Sequence, residues 1–579
     1  MRKNKSASEI GAALGACRGA FISIGVFSGF INILALSGSL FMMEVYDRVI
    51  PSGSLPTLAG LFTLVTILYF FQGSLELMRT RLLSRIGASL DQTVGSRVFD
   101  AVIGLQLRAP RMGESSQPLR DLDIIRGFLS GSGPGAFFDL PWLPFYLGIC
   151  FLFHQLLGLA VLCGVIFLIF LTFLTEIMSR QPTQETSRHS VARSRMLEMS
   201  RRNAEALVAM GMIGRVRQRW QDVSRLHMDA QQSTSDTSTG FGNFGKIFRM
   251  LLQSGVLAVG AYLVIGQEAT SGVIIAGSIL SARALAPIDL AISNWKGFSA
   301  SRQAKQRLDK LLVLLPEQDT PMQLPKPQFA VAVQNVTAVP PETQKIVVQD
   351  INFALRPGNG LGIIGPSASG KSSLARLLVG VWSPQRGTIT LDGAPLNQWS
   401  SEALGQHIGY LPQNVELLDG TVAENISRLD PQATPDKIIA AARAASIHEL
   451  VLGLPQGYDT PLGEQGESLS SGQRQRLALA RALYGDPFLV VLDEPNSNLD
   501  GEGEEALTRA MMGVRQRQGI VIVVAHRPSA LAAVDLVLAM AGGRQQSFGP
   551  KDEVLAKVLQ PASGLKVVPK PTPQPTAAS

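Results

Sequence analysis

Cysteine is scarce. The 579-residue sequence has three, Cys17, Cys150 and Cys163, with neither CxxC nor metal-ligand spacing, so they read as small apolar residues in or near apolar runs. Charge is scarce as well: 17% of residues are Asp, Glu, Lys or Arg against 46% hydrophobic, a balance that fits a partly membrane-embedded chain. The net charge of +7 does not by itself indicate nucleic acid, because the basic residues fall in segments between apolar runs, and no nucleic-acid partner is expected. A removable secretion signal is not expected either, and the first apolar stretch reads as a retained membrane helix. MRKNK is basic and an apolar stretch follows, but Phe21–Met43 is uncharged, longer than a signal core, and closed by no small-residue cleavage pattern. The length exceeds what one core supports and predicts two or more domains.

A helix crossing ~30 Å of hydrocarbon needs about 20 apolar residues. Phe21–Met43, Leu55–Leu75 and Leu157–Thr175 meet that without a charge, and Ala136–Phe153 is interrupted only by Asp139. Met250–Ile265 is short, and Gly272–Ala291 carries Arg283 and Asp289. Counting both predicts six spans, and the even number keeps the charge bias consistent. The segments 76–133 and 176–249 are rich in Arg and Lys, whereas 44–54 has one Arg and 154–156 and 266–271 have no Lys or Arg. The positive-inside rule then places both termini and both long segments in the cytoplasm. Ser187–Leu226 mixes apolar and charged residues at helical spacing, so the long segments are expected to be helical hairpins. Arms of about 25 residues would project roughly 35–40 Å. Among charged residues in or near the spans, Asp47, Arg48, His154 and Glu176 are expected at span ends, reaching headgroups or water. Asp139, beside Pro141 and Pro144, is the candidate for a pathway or structural role.

The predicted organisation is a short segment 1–20, a membrane domain 21–315, an extended Pro-rich linker 316–329, a compact domain 330–560 and a disordered low-complexity tail 561–579. The compact domain opens with Gly365, Pro366, Ser367, Ala368, Ser369, Gly370, Lys371 and Ser372, a full GxxxxGK[ST] match, followed by Ser373. Leu361–Ile364 ahead of it is strand-like and Ser373–Val379 after it is helix-like. The glycines let backbone N–H groups curl around phosphates, Lys371 supplies a point charge, and the Ser372 hydroxyl is a Mg²⁺ ligand. Phe488–Leu492 reads as a buried strand ending in Asp493, a second Mg²⁺ ligand, and Glu494, placed to polarise an attacking water.

Leu469-Ser470-Ser471-Gly472-Gln473, followed by a run Arg474–Leu483 that reads as a helix, resembles the signature of the ABC ATPase family. The resemblance implies that Ser470, Gly472 and Gln473 of one copy close over the nucleotide held by the phosphate loop of another. It further implies that Gln413 senses and ligates Mg²⁺, that Asp500 belongs to a loop crossing the dimer, and that His526 contacts the γ-phosphate. Glu494, His526 and Gln413 form the expected catalytic set, and ATP and Mg²⁺ the expected cofactors. Gly463-Glu464-Gln465-Gly466 resembles a loop of exporters. Two departures stand out: Pro340 occupies the place of the adenine-stacking aromatic, and Ser471 stands where glycine is commoner.

Six spans followed by one ATPase resemble the half-transporter exporters. The implied fold is an α-helical membrane domain of the type IV ABC exporter kind plus an α/β P-loop nucleotide-binding domain, working as a homodimer in which helix pairs swap across. Phe30–Leu36, Met43–Val49, Phe138–Pro144 and Asp493–Asp500 resemble the protease-secretion type within the type I protein-secretion branch. The segment ahead of Phe21 is too short for the N-terminal peptidase-like domain of some relatives. The implied cargo is an unfolded polypeptide with a C-terminal signal, such as a calcium-binding repeat protein. The implied partners are a periplasmic adaptor and an outer-membrane channel, and the implied location is the inner membrane. Export of lipids or small hydrophobic molecules is the alternative that shares every ATPase motif; a soluble ATPase and a membrane-bound regulator fit the spans and the hydrolytic residues less well.

Overall fold

The computed structural model describes residues 8–108, 117–316, 324–341, 343–463, 466, 468–525 and 528–559. His526, Glu464, Gln465, half of the linker (317–323) and the whole tail lie outside the described residues. The chain divides into two compact units, one running to Glu317 and the other from Gln318.

The first unit is helical. A short helix α1 (Glu9–Ala16) precedes α2 (Arg18–Leu34), whose path continues through Ser37–Glu44 and a π-helical turn at Val45–Val49. Then come α3 (Leu55–Arg108), α4 (Gln117–Ser130), α5 (Gly133–Asp139), α6 (Leu143–Phe153), α7 (Gln155–Arg202), α8 (Ile213–Ile265) and α9 (Ser271–Leu314). Among the described residues six stretches are long and apolar enough to cross a membrane: Arg18–Ser52, Leu55–Arg108, Gly133–Phe153, Gln155–Arg202, Ile213–Ile265 and Ser271–Leu314.

The helices run far beyond the apolar runs. The 54 residues of α3 correspond to about 80 Å at 1.5 Å per residue, so its arm beyond Leu75 is longer than the 35–40 Å expected. The continuation has a simple cause: past the uncharged run the sequence keeps helix-forming residues at apolar spacing, with no proline until Pro110. The opposite holds at Ala136–Phe153. Pro141 and Pro144 cannot donate to the preceding turn, and a 3₁₀ segment Leu140–Trp142 separates α5 from α6.

Polar residues within these helices find partners inside the unit. Arg79 Nη1 donates to Asp139 Oδ1 at 3.0 Å and Oδ2 at 3.1 Å, and to Ser28 Oγ at 3.0 Å. Asn32 Nδ2 donates to Asp139 Oδ1 at 2.9 Å, and the Tyr146 hydroxyl donates to the Asn32 carbonyl at 2.8 Å. The acid singled out between prolines therefore ties α2, α3 and α5 together. The expectation that the remaining charges reach headgroups or water holds unevenly. Asp47 accepts from the Gly272 amide (2.8 Å) and Thr270 Oγ1 (2.6 Å), capping α9, and Glu176 accepts from the Trp295 indole. Arg48 is exposed and pairs loosely with Glu44 (4.0 Å). His154 Nδ1 accepts from the Leu156 amide at 3.1 Å, capping α7, while its Nε2 faces Glu268 at 3.4 Å.

The second unit holds a ten-stranded sheet built from β1 (Val331–Ala338), β2 (Val348–Leu355), β3 (Gly360–Ile364), β4 (Arg386–Leu391), β5 (Ala394–Pro395), β6 (Ile408–Leu411), β7 (Leu489–Asp493), β8 (Ile520–Val524), β9 (Leu536–Ala541) and β10 (Arg544–Pro550). The order is β5-β4-β1-β2-β10-β9-β3-β8-β7-β6. β9, β3, β8, β7 and β6 run parallel, and β1 pairs antiparallel with β2 and β4. Every residue of β7 and β8 is buried, as expected for parallel strands covered on both faces. One face packs on α10 (Lys371–Leu378), the other on α11 (Ser471–Leu483) and α12 (Gly501–Gln516).

Candidate functional site

The site lies at the carboxyl edge of the parallel strands, where α/β sheets bind ligands. β3 leads into the phosphate loop, β7 into Asp493 and Glu494, and β6 ends two residues before Gln413. The loop needs its glycines. Gly365 has φ +153° and Gly370 φ +94°, and added Cβ atoms would lie 2.1 Å from the Met540 carbonyl and 2.3 Å from the Val347 carbonyl. Ala368 takes φ +62° in the same loop, a left-handed backbone that turns successive N–H groups inward. A cavity of about 530 Å³ is lined by Ser367, Ala368, Ser369, Gly370, Lys371, Ser372, Ser373, Gln413 and Glu494.

Lys371 is buried, and its Nζ donates to the carbonyls of Gly365 and Pro366, both at 2.9 Å. Burial pushes its pKa down, against the upward pull of the Glu494 and Asp493 carboxylates. Burial pushes the Asp493 carboxyl up, and the Ser372 hydroxyl, donating to Asp493 Oδ1 at 3.1 Å, opposes it. Gln413 Nε2 donates to Glu494 Oε2 at 3.0 Å, and Glu494 takes φ +52°, strain of the kind stored where a side chain must be aimed. Ser372 and Asp493 present oxygen donors side by side, and Gln413, which lines the same cavity, carries an amide oxygen as well. Such a hard, all-oxygen set fits Mg²⁺.

The signature residues stand apart from this cavity in the same chain. Ser470 caps α11 in a capping box: Gln473 N donates to Ser470 Oγ at 3.3 Å and Ser470 N donates to Gln473 Oε1 at 2.9 Å. A Cβ at Gly472 would come within 3.0 Å of the Asn498 carbonyl, so glycine here also serves close packing within the chain. Asp500 caps α12 by accepting from Gly503 N (2.9 Å) and pairs with Arg476 at 2.8 Å. His526 lies outside the described residues, as do Glu464 and Gln465 of the exporter-like loop.

Several contributors escape sequence reading. Lys345, Ile346, Val347, Gly542 and Gly543 complete the cavity, and no aromatic ring lines it among the described residues. Pro340 is not part of the lining; Ile346, 48% exposed, is the large apolar side chain there. The Gly542-Gly543 pair was legible as a turn, but its return to the phosphate loop depends on β9 lying beside β3. Gln475 is buried and links α11 to the segment after β7, donating to the Pro495 carbonyl and accepting from Asn498 N at 3.1 Å. Arg428 donates to the carbonyls of Gly405, Ile408, Arg481 and Ala482 at 2.6–3.1 Å, joining the end of α11 to the strand that leads to Gln413. Neither has a motif to mark it.

Comparison with known proteins gives the following. The family model described as ABC transporter matches residues 348–497, and the one described as ABC transporter transmembrane region matches 21–287. The type I secretion system ATP-binding protein PrsD of Rhizobium meliloti (strain 1021) is 55% identical over 562 residues, 96% of this chain and 97% of that protein. The cyclolysin secretion/processing ATP-binding protein CyaB of Bordetella pertussis is 29% identical over 532 residues, 91% of this chain and 74% of CyaB. Among solved structures, a bacterial Atm1-family ABC exporter with ATP bound superimposes with a TM-score of 0.79, covering 94% of this chain and 97% of that one at 22% identity, a likeness of fold.

Proposed function

This chain belongs to the ABC transporters, in the type I protein-secretion family, and from that premise we propose that it energises export of unfolded polypeptides with C-terminal signals through a three-part envelope assembly. It is a multi-pass membrane protein and an ATP-hydrolysing transporter. The proposal adds that two copies work together in the inner membrane, both termini cytoplasmic, with a periplasmic adaptor and an outer-membrane channel as partners. Repeat proteins of the calcium-binding type are the proposed cargo.

The observation that carries the reading is the convergence of Lys371, Ser372, Gln413 and Glu494 on one cavity at the sheet edge, while a capped helix N-terminus at Ser470 stays outside it. A complete phosphate cradle and a separate anion-binding helix end in one chain call for a second copy to bring them together. Lys371, held on two carbonyls, exchanges them for phosphate oxygens, which relieves the desolvation of its ammonium. Ser372 and Asp493 would hold Mg²⁺, which supplies charge neutralisation at the phosphates. Glu494, oriented by Gln413, takes a proton from the attacking water. Ser470 and the first amides of α11 in the partner copy face the γ-phosphate. Closure and reopening of the two ATPase domains then shift the membrane helices between two states.

The test compares the culture medium of cells with and without this chain. A polypeptide that disappears on deletion, returns with the wild-type chain and stays absent with Glu494→Gln supports the proposal. Unchanged secreted protein with an altered envelope lipid profile would replace it with lipid export.

A further inference from the structure

A second cavity, of about 510 Å³, lies between α7, α8 and α9. Its walls carry Arg180, Lys246, Arg249 and Lys296 against only Glu176 and Asp289. Arg249 and Asp289 neutralise each other, and Glu176 accepts from the Trp295 indole. Arg180, Lys246 and Lys296 have no carboxylate partner among the described residues. Three exposed cations around one space give the cavity a basic mouth that attracts an anion.

Depth and wall chemistry say which anion. In α7 the uncharged run Leu157–Thr175 ends at Glu176, and in α8 the charged part ends at Arg249, just before the apolar Met250–Ile265. The cavity therefore sits where both helices pass from hydrocarbon to the basic side, with Trp295 at the level aromatic side chains favour. Leu171, Phe241 and Ile292 make the remaining wall apolar. On the same helices Phe170, Phe173, Ile247 and Leu251 are exposed, a surface for acyl chains. A soluble phosphate uses the cations alone; an amphiphile uses every wall.

We propose that this cavity seats the headgroup of an anionic phospholipid of the cytoplasmic leaflet, its phosphate held by Arg180, Lys246 and Lys296. The site rests on the orientation given under the proposed function, but not on the identity of the cargo.

The test uses the full-length chain in nanodiscs of phosphatidylcholine alone or with phosphatidylglycerol, and native mass spectrometry to count retained lipid. The wild type retains phosphatidylglycerol in preference to phosphatidylcholine. Lys246→Gln and Lys296→Gln each weaken that preference about fivefold, the factor for one cation near a charged leaflet. Lys296→Arg keeps it, and Arg188→Gln, further along α7, leaves it unchanged. Melting temperature identifies a variant that fails to fold, and Arg180→Gln, expected to weaken the preference, then takes its place in the comparison with Arg188→Gln. Equal retention of both lipids by the wild type, or an undiminished preference in the Lys246→Gln, Lys296→Gln double variant, overturns the proposal. So does displacement of phosphatidylglycerol by millimolar inorganic phosphate, which would mark a free-anion site. Lost preference with secretion intact leaves the proposed function standing; preserved preference with no secreted polypeptide leaves the lipid site standing.

Discussion

Replacing Asp139 by Asn tests whether the acid between the prolines clamps helices or lines a pathway. Asp139 accepts from Arg79 and from Asn32, and the paired side chains keep only 12% and 17% of their exposure. Asp139→Asn keeps one side-chain oxygen to accept from Arg79, beside Ser28 Oγ, but removes the negative charge that offsets the guanidinium. Removing one partner of a buried pair costs about 3–5 kcal/mol, and the residual exposure puts this case near the lower end, about 3 kcal/mol. Arg79→Met strands the carboxylate and costs a similar amount. The double variant removes both charges, so it is expected at about 3 kcal/mol and not the sum, a coupling of about 2–3 kcal/mol. Thermal unfolding of the detergent-solubilised full chain, followed by tryptophan fluorescence, should show each single variant about 5 °C lower, at about 1.6 °C per kcal/mol for a helical unit of about 300 residues. The double variant should fall with the singles. Additive shifts would refute the clamp, and unchanged melting with lost secretion would make Asp139 a pathway residue.

Three further outcomes follow from the nucleotide-binding unit. Glu494→Gln should bind ATP with wild-type affinity and lose steady-state hydrolysis by about 10²-fold or more, since it removes the base and keeps the hydrogen-bonding shape; fluorescent-nucleotide titration and phosphate release check both halves. Gly370→Ala should lose nucleotide binding, because its Cβ would meet the Val347 carbonyl at 2.3 Å with φ at +94°; retained affinity would show that the loop has another shape. Arg428→Met should lower the melting temperature by stranding four carbonyls, about 3 kcal/mol in all. Burial holds the Arg428 pKa down at about 10. The sign is that of a cation disfavoured by folding, whose cost is constant below that value and relieved only above it. The wild-type-minus-variant melting difference should therefore be flat from about pH 6 to 9, and a slope there would contradict the assignment.

The ATPase unit was unusually legible because its motifs are local. A phosphate loop needs a strand, a glycine turn and a helix in unbroken succession, and 360–378 contains all three with boundaries within a residue or two of the observed β3 and α10. The signature helix is similar: Ser470 and Gln473 cap it within one turn. The membrane spans were legible because hydrocarbon imposes a length and forbids charge. Gln475 and Arg428 were not. Each acts on groups brought near by β6, β7 and α11 packing together, and a single Gln or Arg carries no spacing to announce that.

Composition and pattern thus determined that the chain crosses a membrane, binds a nucleoside triphosphate and carries the signature of one family, because those properties depend on runs and motifs contiguous in sequence. Only the tertiary structure decided that Asp139 is matched by Arg79, that Glu176 is held by Trp295, and that Arg180, Lys246 and Lys296 share one cavity. The physical reason is distance along the chain: the partner of a buried charge is chosen by helix packing, and residues dozens or a hundred positions apart become neighbours only once the helices have assembled.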